Sequence, residues 1–292
     1  VTILLRLNQP AERLVVQDLE GEPMPTQSLD HWQEGHFWYV RLLFLARDVP
    51  SLGFKLFRAF PHVNAAHATE SVLAINERYE YILESARLRV RVDKGTGQVR
   101  SIYDKQAGRE ILAGPANVLQ AIRERPGDSS GWHIALTDDR EELDAPEQMK
   151  VVEHGPVRAT VRVGYRYRDS YFEQDIQLVA GMPRVSFRFR GDWHERDCCL
   201  KVAFPVAIEG GTATFEQPFG AIVRPADGAE ASAQRWIDLS QDEHGVSLLN
   251  DCRYAFDIKG HIMRMTLLRG IPDLDPQADE GYHDLGYDLY PH

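Results

Sequence analysis

The chain has 292 residues, 43% of them hydrophobic and 26% charged, the composition of a globular protein with a sizeable core. Lysine and arginine number 33 against 44 aspartate and glutamate, a net charge of -11. An acidic surface of this kind repels phosphate backbones and anionic headgroups, which argues against nucleic acid and membrane as partners and leaves room for a neutral ligand. There are three cysteines, Cys198, Cys199 and Cys252. Adjacent cysteines on a strand point to opposite faces and bridge poorly, so no disulfide framework is readable and a reducing compartment is expected. The opening VTILLRLN carries no signal-peptide pattern, and no apolar stretch is long enough to span a bilayer. The expectation is a soluble, cytoplasmic protein.

In chain order, short apolar runs around Leu4, residues 14–16 and residues 40–45 read as strands of a small β domain over residues 1–61. Pro61-His62-Val63-Asn64-Ala65-Ala66-His67 is weakly patterned and linker-like. Residues 70–84 form the most helix-compatible stretch. From there alternation with a period of two takes over. Leu88, Val90 and Val92 oppose Arg87, Arg89 and Arg91, and Lys94-Gly95-Thr96-Gly97 suits a hairpin turn with positive φ at glycine. Ala159, Val161, Val163, Tyr165 and Tyr167 share one face, with Arg162, Arg166 and Arg168 on the other. Val185, Phe187 and Phe189 repeat the pattern after the turn at Gly181, and Leu200, Val202, Phe204, Val206 and Ile208 make another apolar face. Such segments read as half-buried antiparallel strands. With no βαβ alternation, the fold class is all-β. A small β-sandwich-like domain, residues 1–61, precedes a large antiparallel sandwich over residues 72–292.

Several clusters have the residue types for chemistry. Asp192-Trp193-His194-Glu195-Arg196-Asp197 is the densest polar run. Asp192, His194 and Glu195 are metal-ligand types, or else strand-end charges paired with Arg190 and Arg196. Asp251, Asp273, Asp275 and Asp279 are candidate carboxylates, although turn capping uses the same residue type. Trp132 and His133 follow the loop Pro126-Gly127-Asp128-Ser129-Ser130-Gly131. There Trp132 either offers a ring face to a ligand or begins the next strand and plugs the core. Asn250-Asp251-Cys252 follows an apolar strand and either sets a turn or presents carbonyls and a carboxylate to hydroxyl groups. His283 and His292 read as structural histidines rather than a metal pair. No nucleotide loop, serine elbow or papain-like cysteine signature is present.

A resemblance adds to this reading. Asp48-Val49-Pro50-Ser51-Leu52-Gly53-Phe54, Ser101-Ile102-Tyr103-Asp104-Lys105 with Gly108-Arg109-Glu110, and DWHERDCCLKVAFP from Asp192 stand in the order found in glycoside hydrolase family 38. Ala213-Thr214-Phe215-Glu216, Arg235-Trp236-Ile237-Asp238-Leu239-Ser240, GVSLLND from Gly245 and LLRGIPDLDPQADEGYHDLGYDLYPH from Leu267 continue it. The chain resembles the carboxy-terminal β region of that family's α-mannosidases, in its bacterial and cytosolic branch. The resemblance implies a retaining, zinc-dependent exo-α-mannosidase as the parent, with nucleophile, acid and zinc in a separate barrel domain and none of them in this chain. It further implies that the largest β domain is of the galactose-mutarotase-like supersandwich type and closes one side of the sugar pocket. Mannose-containing oligosaccharide and the parent's catalytic domain are then the partners. Asn250, Asp251 and Cys252 would offer backbone groups to mannose hydroxyls, and Trp132 and His133 would stand at the pocket loop. That loop departs from the family's DAWD-like pattern, because tryptophan is kept while both flanking acids are absent. Two other readings are carried beside it. One is a stand-alone carbohydrate-binding module stacking sugars on Trp132, Trp193 or Trp236; the other is a mutarotase-type enzyme pairing His133 with Glu195.

Overall fold

The computed structural model describes residues 1–11, 14–61, 71–125, 134–271, 275 and 277–292. Among them no helix occurs, and the strands pair antiparallel. Two three-stranded sheets form the first part. One runs Thr2–Leu7, Phe37–Phe44, Thr26–Glu34; the other runs Pro23–Met24, Leu14–Asp18, Phe57–Pro61. Leu14, Val16, Met24, Val40, Leu42 and Phe44 make the core between them.

The remaining strands form two layers. One layer is a nine-stranded sheet in the order Gln148–His154, Arg158–Tyr167, Ser170–Val179, Val185–Trp193, Gly281–Pro291, His244–Asn250, Trp236–Gln241, Thr212–Gln217, Gly220–Arg224. Facing it is a six-stranded sheet: Leu136–Leu143, Val118–Glu124, Cys198–Pro205, Ile262–Gly270, Ala255–Lys259, Ala231–Ser232. A five-stranded sheet continues that second layer, in the order Arg109–Glu110, Val99–Asp104, Leu88–Asp93, Glu80–Glu84, Leu73–Asn76. Bridges Val99–Ala116 and Leu112–Val206 tie the two smaller sheets together.

The alternation read from the sequence explains the core between the layers. Phe187 stacks on Tyr287 of the neighbouring strand at 5.2 Å and meets Phe204 of the facing sheet at 5.5 Å. Ring pairs of this kind add to the area they bury. The turn after Asp93 needs its glycine. Gly97 has φ +74°, and a Cβ there would lie 2.2 Å from the Tyr165 hydroxyl. That hydroxyl donates to the Thr96 carbonyl at 3.0 Å and clamps the hairpin onto the nine-stranded sheet.

Two features differ from the sequence reading. Of the stretch 70–84, the described residues 71–84 are not helical: they supply the strands Leu73–Asn76 and Glu80–Glu84. Edge pairing with Leu88–Asp93 and burial of Leu83 outweigh the local helical preference of the glutamates. The strand Cys198–Pro205 is buried on both faces rather than one. Its second face carries Lys201, fully buried, whose ammonium donates to Asp257 Oδ2 at 2.6 Å and also pairs with Glu230. Burial lowers the pKa of Lys201, against the pull of Asp257. The last strand, Gly281–Pro291, enters the middle of the nine-stranded sheet, between strands that precede it by dozens of residues.

Candidate functional site

One end of the large sandwich gathers the polar run at 192–197 with the loop ends at 124–135 and 270–281. Asp197 N donates to the Gly270 carbonyl at 2.9 Å, and Glu124 N donates to the Asp197 carbonyl at 2.8 Å. Gly270 leaves no room for a side chain, since a Cβ would meet the Glu195 carbonyl at 1.9 Å. Glu124 is buried and paired with Arg269, whose Nε donates to it at 2.8 Å. Glu195 is also buried. It accepts from the Ser170 hydroxyl at 2.8 Å and the Asp169 amide at 3.2 Å, while Ser170 accepts from His194 N at 2.9 Å. His194 points outward, its Nε2 3.1 Å from Asp192 Oδ2 and its Nδ1 3.9 Å from Glu280. Hydrogen bonding to Asp192 raises its pKa above the usual histidine value.

Beside this end lies the turn after strand His244–Asn250, packed against the part of Gly281–Pro291 that this strand leaves unpaired. Asn250 Oδ1 accepts from Arg253 N at 2.6 Å, an Asx-type closure. Asp251 N donates to the Gly286 carbonyl at 3.2 Å, and Asp251 Oδ2 accepts from Gly286 N at 2.9 Å. Arg253 Nε donates to the Leu267 carbonyl at 2.6 Å, and its Nη2 lies 3.4 Å from His283. His283 in turn reaches the Asp279 carbonyl at 2.7 Å, so the turn and the 275–281 loop are mechanically joined. Both Asn250 and Asp251 therefore use side-chain oxygens to brace the turn, while Asp251 stays exposed to solvent.

A third polar tract was not singled out from the sequence. The arginines assigned to a solvated face form a ladder. Arg162 Nε and Arg190 Nη2 both reach Asp175, at 2.6 and 2.7 Å, and Arg188 pairs with Asp284 and lies 3.7 Å from Asp251. Burial works to raise the Asp175 pKa, but the two guanidiniums prevail and hold it below the usual carboxylate value. The small sandwich roofs this face, with Gln27 Oε1 accepting from Arg158 N at 2.8 Å. Between them lies a groove of about 520 Å³ lined by Asp30, Arg41 and the ladder. Cross-strand register places these charges opposite one another, and alternation alone does not reveal the register.

Residues 83–277 match the Glycosyl hydrolases family 38 C-terminal domain. The chain belongs to glycosyl hydrolase family 38. Human Alpha-mannosidase 2C1 is 30% identical over 259 residues, covering 84% of this chain and 25% of that protein. An Alpha-mannosidase of Saccharomyces cerevisiae is 29% identical over 236 residues, covering 72% of this chain and 22% of the relative. The chain thus spans about a quarter of the length of the curated relatives it matches. A crystal structure of a family 38 protein from Enterococcus faecalis superposes over 100% of this chain and 42% of its own, at TM-score 0.79 and 13% identity, a likeness of fold.

Two of the candidate carboxylates of this family 38 domain close turns or brace the backbone. Asp275 closes a turn on Gln277 N, and Asp279 accepts from Arg269 N at 2.8 Å. Among the described residues no three histidine, cysteine, aspartate or glutamate side chains are grouped so as to hold a metal ion, so these residues do not fit zinc. Burial pushes the Cys198 and Cys199 thiols up to about 11, and burial together with the neighbouring Asp251 raises that of Cys252. None is set up as a nucleophile at neutral pH. Trp193 is fully buried against Phe172 at 6.0 Å, which removes it as a stacking surface. Trp132, His133 and Asp273 lie outside the described residues; the flanks of that first loop meet where Arg125 N donates to the Ala135 carbonyl at 3.0 Å. Glu195 is occupied by Ser170 and Asp169, and His133, its partner in the mutarotase reading, lies outside the described residues.

Proposed function

We propose that this chain is the carboxy-terminal β region of a retaining, zinc-dependent α-mannosidase that removes terminal α-linked mannose from oligosaccharides, and that it acts as a scaffold closing one side of the sugar pocket. The supporting observation is the family 38 C-terminal domain match over residues 83–277, joined to relatives named alpha-mannosidases. In this reading the nucleophile, the acid and the zinc belong to a barrel domain of the parent on which this region packs, in the cytoplasm. Residues 1–61 and 72–292 act as two domains, each with its own core. Retaining glycoside hydrolysis uses two carboxyl groups roughly 5–5.5 Å apart, one of them free to attack. The carboxylates at the loop-bearing end are instead held by Arg269, Ser170 and Gly286, which fits a supporting wall.

Asn250, Asp251 and Cys252 would line that wall through the backbone of their braced turn, and Trp132 and His133 would stand on the neighbouring loop. The test is steady-state kinetics of the full-length parent on an aryl α-mannoside. Asp251→Ala loosens the turn from Gly286 and is expected to raise KM several-fold with a smaller change in kcat. An unchanged KM would remove this turn from the pocket.

A further inference from the structure

The small amino-terminal sandwich carries a cleft that nothing above uses. It opens beside the core between the two three-stranded sheets, has a volume of about 380 Å³ and is lined by Pro10, Ala11, Ser28, His31, Trp38 and Val40. That size falls within the roughly 300–1,000 Å³ of small-molecule sites. Its walls are mainly apolar, with the half-buried Trp38 as the broad surface.

The polar groups around it are unspent. Among the described residues none makes a hydrogen bond or ion pair with the side chains of Ser28, His31 or Trp38. Here a hydroxyl, an imidazole and an indole N–H border one apolar surface without internal partners. The convergence comes from a local irregularity. Strand Thr26–Glu34 pairs with Phe37–Phe44 through Ser28↔Leu42 and His31↔Val40, with an extra residue between Ser28 and Asp30. That bulge puts residues 28 and 31 on the same face, where strict alternation would set them on opposite ones. Re-aiming side chains in this way is a recurrent use of bulges.

An apolar ring surface edged by a few neutral donors and acceptors matches a pyranose. One face of such a sugar is C–H and its rim is hydroxyl. Among the described residues no carboxylate or guanidinium lines the cleft, which favours a neutral ligand. We propose that this cleft is a binding site for a neutral pyranose, with Trp38 under the ring and Ser28 and His31 on its hydroxyls. The site lies in the small sandwich, distinct from the loop-bearing end of the large one.

The experiment is titration calorimetry of this chain with the methyl α-pyranosides of mannose, glucose and galactose. Saturable binding of at least one is expected, weakened about tenfold or more in Trp38→Ala, as for a central aromatic anchor. Should Trp38→Ala fail to fold, Ser28→Ala/His31→Ala, whose side chains are exposed, decides the matter by a loss of similar size. No binding of any of the three, or binding that survives in the folded variants, overturns the proposal. The result is independent of whether the parent hydrolyses mannosides.

Discussion

In the large sandwich, buried charges have assigned partners: Lys201 with Asp257 and Glu230, Glu124 with Arg269, Asp175 with two arginines. In the small sandwich the core is six side chains between three-stranded sheets, and Ser28, His31 and Trp38 line a gap that the sheets do not close. The difference follows from breadth. A nine-stranded sheet covers its opposite layer and favours partners for the buried charges, because an unpaired one costs about 1–3 kcal/mol or more. Three strands cannot cover as much, and the surplus surface is available to a ligand. The large region reads as a rigid support, the small one as a place with room.

Breaking the large core gives the largest expected effect. Phe204→Ala removes a fully buried ring between Phe187 and Tyr287 and should cost roughly 3–5 kcal/mol, read as a fall in the denaturation midpoint. Lys201→Met tests pairing rather than packing. It strands Glu230 and part of the Asp257 charge, and about 3–5 kcal/mol is expected if the cluster is as desolvated as its burial indicates. A loss under 1 kcal/mol would mean water reaches it. Leu42→Ala, in the small core, should cost roughly 2–5 kcal/mol. It should lower only one of two calorimetric transitions, and a single transition moving as a whole would merge the two cores into one unit.

Two pH effects are smaller. The Asp175 carboxylate has a folded pKa below its ordinary 3.8. Its contribution is therefore complete above that value and is lost as pH falls through the folded pKa. Asp175→Asn should make the acid limb of the stability curve shallower. His194 runs the other way. Its pKa is raised above 6.5, so its small contribution is present below 6.5 and fades as pH rises through the folded value. In a histidine NMR titration, Asp192→Asn should bring His194 down toward 6.5, and no shift would dissolve that pair.

The strands were legible because alternation is local. Leu88, Val90 and Val92, or Val185, Phe187 and Phe189, announce their faces within six residues, and all are buried. What escaped depends on distant register. Lys201 on an alternating strand looks solvent-facing until Asp257 and Glu230 arrive from later in the chain. The helical reading of residues 70–84 weighed glutamate propensity, which sheet pairing overrode. Trp193 looked available for stacking because sequence does not show Phe172 beside it. The Asn250 turn was anticipated in kind, since a side-chain carbonyl closing on the third residue along is a local habit of asparagine. The Trp38 cleft was not, because the bulge that aligns Ser28 with His31 leaves no mark on the alternation.

The scaffold role proposed for the large sandwich is tested most directly by comparing this chain with the proposed full-length parent on an aryl α-mannoside, at equal molar concentration and with zinc supplied to both. The account predicts turnover by the parent and none above background by residues 1–292. Hydrolysis by residues 1–292 at a rate near that of the parent would contradict it.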